Sequence, residues 1–216
     1  LVRRVLNNRE THDADLYQGI AEMGWTATTI PEEYGGLGMS HLELVVIAEE
    51  LGRACAPVPF SSTVYLAAEA IMALGTEAQK QAWLPKLADG SAIGCFALGE
   101  AGGAVTSVQI STSMADGVIN GTKVPVADGG IADVAIVVCK SDGGDGATLA
   151  LVDLSQDAVA KDNVQMIDFS RGHAELTFNG ACADIASRPE PKPVGSITGR
   201  PFAGRRARAR SRFLLQ

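Results

Sequence analysis

The chain has 216 residues, 46% of them apolar, with 18 Lys and Arg against 25 Asp and Glu. That length gives room for one large core or two small ones, and the composition excludes a disordered polymer; no apolar run nears the ~20 residues of a membrane-spanning helix. Residues 1–186 hold 10 basic against 24 acidic side chains, whereas residues 187–216 hold 8 against 1. A linker and tail are therefore expected from Ser187.

The sequence opens on Leu1, and its first ten residues carry no apolar signal core, so it is expected to start inside a longer, cytoplasmic chain. Asp15 is a candidate N-cap for a first helix with Leu16, Ile20 and Met23 inward and Gly24 as its stop. A rigid loop follows at Pro31-Glu32-Glu33-Tyr34-Gly35-Gly36. Ser40 and Glu43 have capping-box spacing, in which the hydroxyl and the carboxylate satisfy reciprocal backbone donors. They open a helix running through Val45, Val46, Ala48 and Leu51 and ended by Gly52. Ser61 or Ser62 starts the next helix, with Leu66, Ala70, Ile71 and Leu74 inward and Gly75 at the close. Thr76 and Gln79 repeat the capping box, and Pro85 is expected to hold that helix to about two turns. Residues 1–91 thus read as a helical domain.

From Ala92 the helical period disappears. Ile93 to Leu98, Val105 to Met114, Thr122 to Val126, Val134 to Cys139, Thr148 to Val152 and Glu175 to Phe178 are candidate strands. Asp116-Gly117, Asn120-Gly121, Asp142 to Gly146 and Asn179-Gly180 are candidate turns. Many short strands without intervening helices predict an antiparallel β-barrel or sandwich over residues 92–186, so the fold class expected is α+β, helical domain first. Residues 187–216 contain Arg200, Arg205, Arg206, Arg208, Arg210 and Arg212 without an apolar stripe. They read as an irregular, disordered basic tail, or as the product of a shifted reading frame; an anion-binding arm is the third reading.

Exclusion narrows the chemistry. The chain has no G-x-S-x-G, H-E-x-x-H or G-x-x-x-x-G-K-[ST] phrase, so serine hydrolase, zincin and P-loop readings lose their support. Gly144-Asp145-Gly146 leads into a strand and reads as a hairpin turn rather than a dinucleotide loop. His12, His41 and His173 lie far apart, and Cys55, Cys95, Cys139 and Cys182 form no C-x-x-C pair. No metal site is expected, and the thiols read as reduced and mostly buried. The carboxylate pairs Glu32-Glu33 and Glu49-Glu50 fall where solvated charge is expected.

Three phrases in fixed order carry a resemblance: Pro31 to Gly38, Gly75 to Pro85, and Phe96-Ala97-Leu98-Gly99-Glu100 with Asn120-Gly121-Thr122-Lys123 behind it. Over roughly residues 12 to 182 the chain resembles the acyl-CoA dehydrogenase family. The resemblance implies FAD as cofactor and an acyl-CoA thioester as substrate. It also implies a homo- or hetero-oligomer with another chain of the same kind, and neither nucleic acid nor membrane as a partner. In the family a strand backbone lies along the flavin ring, its N–H and C=O groups matching the ring's polar edge. By position, Phe96, Leu98 and Gly99 of the first strand and Pro125, Val126 and Ala127 of the second would meet the flavin, and Val105 and Thr106 the acyl-CoA. Gly99 and Ala127 stand where the family has Thr, Pro125 where it has Trp, Val105 where it has Ser and Thr106 where it has Asp. Asp128, next along, is an acceptor that would repel charge developing on a reduced flavin. The family's catalytic base is a Glu of a C-terminal helical domain for which this chain shows no counterpart, so no catalytic residue is assigned. Three functions remain open: a dehydrogenase-like flavoprotein fragment or subunit, a non-catalytic structural subunit that binds no flavin, and an anion-binding protein working through the arginine tail.

Overall fold

The structure is a computed structural model describing residues 2, 3, 5, 10–101, 110–141, 147–168 and 170–186. The predicted positions Val105 and Thr106, the turn Asp142 to Gly146 and the basic tail from Ser187 lie outside these residues.

Helix α1 spans Ala14–Glu22. Its N-cap is Asp13, whose carboxylate accepts from the Leu16 N–H at 3.0 Å, while the expected cap Asp15 is the second helical residue, inside the first turn. Tyr17, Ile20 and Ala21 are its buried residues, and Met23, which follows the last helical residue, is 59% exposed. Gly24 follows the helix end at φ +76°, as a stop requires. The Pro31 loop contains one 3₁₀ turn, Glu32–Tyr34, closed by Gly35 at φ +79°. Only glycine fits at 36, because a Cβ there would sit 1.9 Å from the Ile30 carbonyl oxygen.

Helix α2, His41–Arg53, carries the expected Ser40–Glu43 capping box. On this helix Leu44 is buried, whereas Leu42, Val45 and Val46 are 71%, 59% and 60% exposed. The apolar residues at 42, 45 and 46 do share one face, but the neighbouring elements pack on the other. A π-helical segment, Ser61–Ala68, continues directly into α3, Glu69–Leu74. Its wider turn brings Ala67, Ala68 and Ile71 inward and leaves Leu66 46% exposed. Helix α4, Glu77–Ala88, begins at the Thr76–Gln79 capping box and runs through Pro85. Proline costs that turn one backbone bond, yet Leu84 and Leu87, both fully buried, hold it helical; each such burial is worth about 1.5–3 kcal/mol.

Eight strands follow among the described residues: β1 Gly94–Ala97, β2 Ser113–Ala115, β3 Val118–Ala127, β4 Val134–Ser141, β5 Ala147–Asp153, β6 Val159–Val164, β7 His173–Cys182 and β8 Asp184–Ile185. They form one open sheet in the order β6-β7-β3-β2-β4-β5-β8, with β1 also on β4. Most neighbours are antiparallel, but β1 and β2 both run parallel to β4. Helices first and a sheet second is the α+β order the residues predicted; the sheet is mixed and not closed.

Asp116-Gly117 makes the β2–β3 turn, with both residues at positive φ. The other two described turn signals lie inside strands. Asn120-Gly121 and Asn179-Gly180 face each other across β3 and β7 at a register shift, where Asn120 Oδ1 accepts from the Gly180 N–H at 2.9 Å. They form a bulge, which wants the same residues as a turn because both need backbone outside the extended region.

One core lies within the sheet, around Val126, Val137, Leu176 and Phe178. A second is shared: Ala67, Ile71, Leu84 and Leu87 of the helices pack with Val134, Ile136 and Leu151 of the sheet. Strand β1 sits at this seam. Thr63 Oγ1 accepts from Gly94 N–H at 3.2 Å, and Gly94 admits the π-helix so closely that a Cβ there would lie 2.5 Å from the Ala67 methyl. Among the described residues no helix is long and apolar enough to cross a membrane.

Candidate functional site

The end of β1 and the second half of β3 are the two segments predicted to meet the cofactor, and the fold places them side by side. The Val124 N–H donates to the Gly99 carbonyl at 2.9 Å. A Cβ at 99 would press within 3.0 Å of the Val124 carbonyl oxygen and 3.7 Å of Pro125 Cδ. Glycine lets the two backbones close up. The pairing of β3 with β7 shifts register between Lys123 and Val126, so Val124-Pro125, joined by a cis peptide, stand out of the ladder.

The six predicted cofactor residues have different exposures. Leu98 is 42% exposed and Pro125 is exposed, forming an apolar surface where the segments meet. Gly99 and Ala127 are half-buried beside it. Phe96 packs, half-buried, on the core shared with the helices, and Val126 is fully buried in the sheet core. These last two can offer only backbone groups or ring edge. The residues present therefore fit a flat ring approached through backbone and apolar side chains. They do not fit one held by side-chain hydroxyls, since Gly99 and Ala127 have none.

Beneath this surface lies an ion pair that sequence reading quoted only as letters of a motif. Lys123 is fully buried, and its Nζ donates to Glu100 Oε1 at 2.7 Å and to the Leu98 carbonyl at 3.2 Å. The Glu100 carboxylate also accepts from the backbone N–H groups of Ser111 at 2.8 Å and Thr112 at 3.0 Å, and from the Thr112 hydroxyl at 2.7 Å. Burial pushes the Glu100 carboxyl up, but Lys123, Ser111 and Thr112 together outweigh it and hold the group well below the usual carboxylate range. The network fixes the direction in which the chain leaves β1. The available signal was Lys123 itself, a charge inside an otherwise strand-like run, which must be paired if it is buried.

Asp128 does not point to the site. It is 2% exposed, its φ is +58°, and its Oδ2 accepts from Ser62 Oγ and from an Arg171 guanidinium nitrogen, each at 2.6 Å. Glu32, Glu33, Glu49 and Glu50 are exposed, as expected of solvated charge. No group of three or more His, Cys, Asp or Glu able to hold a metal occurs among the described residues. All four thiols are free; Cys95 and Cys139 are buried, which pushes them up to about 12 and about 11, and Cys55 and Cys182 are exposed.

Comparison with known proteins gives the arrangement its context. Residues 2–91 match the acyl-CoA dehydrogenase N-terminal domain. Human mitochondrial short-chain specific acyl-CoA dehydrogenase is 35% identical over 128 residues, which cover 56% of this chain and 31% of that protein. The crystal structure of an acyl-CoA dehydrogenase from Geobacillus kaustophilus superposes with a TM-score of 0.78 at 26% identity, covering 86% of this chain and 53% of that one. An acyl-CoA dehydrogenase from Bacillus anthracis complexed with FAD superposes at 0.74 and 25% identity, covering 87% and 35%. The chain thus spans about a third to a half of the length of these relatives. Residues 2–91 therefore belong to the acyl-CoA dehydrogenase N-terminal domain family, and the described helices and mixed sheet together have the fold of the corresponding part of an acyl-CoA dehydrogenase.

Proposed function

We propose that this chain is the helical and β-sheet portion, or a subunit, of an acyl-CoA dehydrogenase-like flavoprotein, with residues 1–91 and 92–186 as its two domains. The single observation supporting this is the junction at which Val124 N–H meets the Gly99 carbonyl, because it brings together the two segments that the family uses for its flavin. Phe96, Leu98, Gly99, Pro125, Val126 and Ala127 would hold FAD there, by backbone groups and apolar contact. FAD, when bound, supplies a hydride acceptor for α,β-desaturation of an acyl-CoA thioester. Val105 and Thr106 would touch the acyl-CoA. This chain's contribution is a rigid, apolar wall: Lys123 and Glu100 lock its underside, and Leu98 and Pro125 keep water from its face. A second chain in a homo- or hetero-oligomer, in the cytoplasm, completes the site and brings the base that removes the α-proton.

The second reading, a structural subunit without flavin, is favoured by the lost hydroxyls at 99 and 127. Gel filtration in the presence of FAD, of the chain alone and with a co-expressed partner, separates the two by the flavin absorbance that travels with the protein. Flavin with the partnered chain supports the flavoprotein; its absence from both samples overturns it.

A further inference from the structure

Three segments meet at the Asp128 carboxylate. Ser62, buried in the π-helical segment, donates its hydroxyl hydrogen to Oδ2 at 2.6 Å. Arg171, in the turn before β7, donates from its guanidinium to the same oxygen at 2.6 Å. Asp128 closes the end of β3, and its own N–H donates to the Gly172 carbonyl at 2.9 Å. One residue thus ties the helical part, the end of the proposed cofactor strand and the start of β7. It follows Ala127 directly, and its backbone is left-handed at φ +58°, a conformation uncommon outside glycine, though Asp is among the side chains that tolerate it.

The second half of the carboxylate and one guanidinium nitrogen stay buried with nothing to pair with: Asp128 Oδ1 and Arg171 Nε have no hydrogen-bond partner among the described residues. A site made only for stability would be better served by apolar packing, since a buried ion pair with unsatisfied atoms contributes little net stability. Its defensible advantage is geometric. Charge-assisted bonds are short and directional, and here they set where Pro125, Val126 and Ala127 lie relative to the helices.

We propose that Asp128 is a positioning residue for the cofactor strand, acting as a clasp through Ser62 and Arg171; this rests on the flavin reading for its functional half. Asp128→Asn keeps the shape and removes the charge. Ser62→Ala removes one bond, and Arg171→Lys keeps the charge but withdraws the guanidinium nitrogen that bonds Oδ2. Each is compared with the unaltered full chain, under whichever of the two conditions above retains flavin.

Titration with FAD, followed by the flavin absorption band, is expected to show affinity weakened about tenfold or more in Asp128→Asn and less in Ser62→Ala, with the band altered in shape. Hydrogen exchange at the Asp128 and Ile131 amides, whose partners are the Gly172 and Asp128 carbonyls, is expected to quicken in both variants with no flavin present. If Asp128→Asn fails to fold, Ser62→Ala and Arg171→Lys give the same readouts. Unchanged exchange at those amides overturns the clasp. Quickened exchange with unchanged FAD affinity and spectrum reduces it to a structural tie and overturns the positioning role. If the unaltered chain retains no flavin while exchange still responds to the variants, the flavin reading falls and takes the positioning role with it, leaving a clasp between the segments.

Discussion

Lys123 Nζ lies 2.7 Å from Glu100 Oε1, in a place where the lysine has no exposed surface and the carboxylate very little. The pair joins the middle of β3 to the residue that leaves β1. Removing one partner from a buried pair strands the other, so Glu100→Gln and Lys123→Met are each expected to cost about 3–5 kcal/mol. Chemical denaturation of both variants against the unaltered chain measures it, and a loss below about 1 kcal/mol would contradict the burial.

The same carboxylate predicts a pH dependence. Its folded pKa is depressed below the unfolded value of about 4.3, so its contribution is fully present above that value and is lost as pH falls through the folded one. Thermal midpoints of the unaltered chain and of Glu100→Gln should therefore differ most near neutral pH and converge in strong acid. A gap that stays constant down the acid range would count against the network.

Tyr34 and Glu77 connect the first two family phrases directly: the phenolic hydroxyl lies 2.9 Å and 3.1 Å from the two carboxylate oxygens. The Glu77 carboxylate raises the Tyr34 hydroxyl from its ordinary value to about 12, with burial adding to it. A raised pKa means stability that is whole below about 10 and declines as pH climbs toward 12. Ultraviolet titration of the phenolate should show a late-ionising tyrosine that moves earlier in Glu77→Gln. An unmoved curve would remove the contact.

Gly36→Ala tests the close approach to Ile30. With backbone oxygen 1.9 Å from the new methyl, the loop must shift, and a loss of at least about 1–3 kcal/mol is expected. Gly19→Ala, where nothing lies within 4 Å, is the control and should be neutral or better.

Helix α2 offers a test of which face is buried. Leu44→Ala should cost about 2–5 kcal/mol, whereas Val46→Glu should stay within about 0.5 kcal/mol. A large loss from Val46→Glu in the isolated chain would mean that the face carrying Leu42, Val45 and Val46 is covered.

Local chemistry was the legible part of this molecule. Both capping boxes, the Asp116-Gly117 turn and the stops at Gly24 and Gly75 are short-range arrangements, complete within four or five residues, so their spacing suffices to identify them. Strand β6 was missed for a related reason. Val159–Val164 is an edge strand whose four central residues are exposed, and it has no apolar alternation to reveal it.

What the sequence by itself determined is the order of helices and sheet and the likeness to acyl-CoA dehydrogenases. Each depends on residue type and spacing along one stretch of chain. The rest needed the tertiary structure. Which face of α2 is buried depends on what packs against it. Whether Asn120-Gly121 is a turn or a bulge depends on Asn179-Gly180 some sixty residues away. Whether Asp128 faces a cofactor or a clasp depends on Ser62 and Arg171. A carboxylate's role is decided by the partners folding brings to it, and a linear chain does not display them.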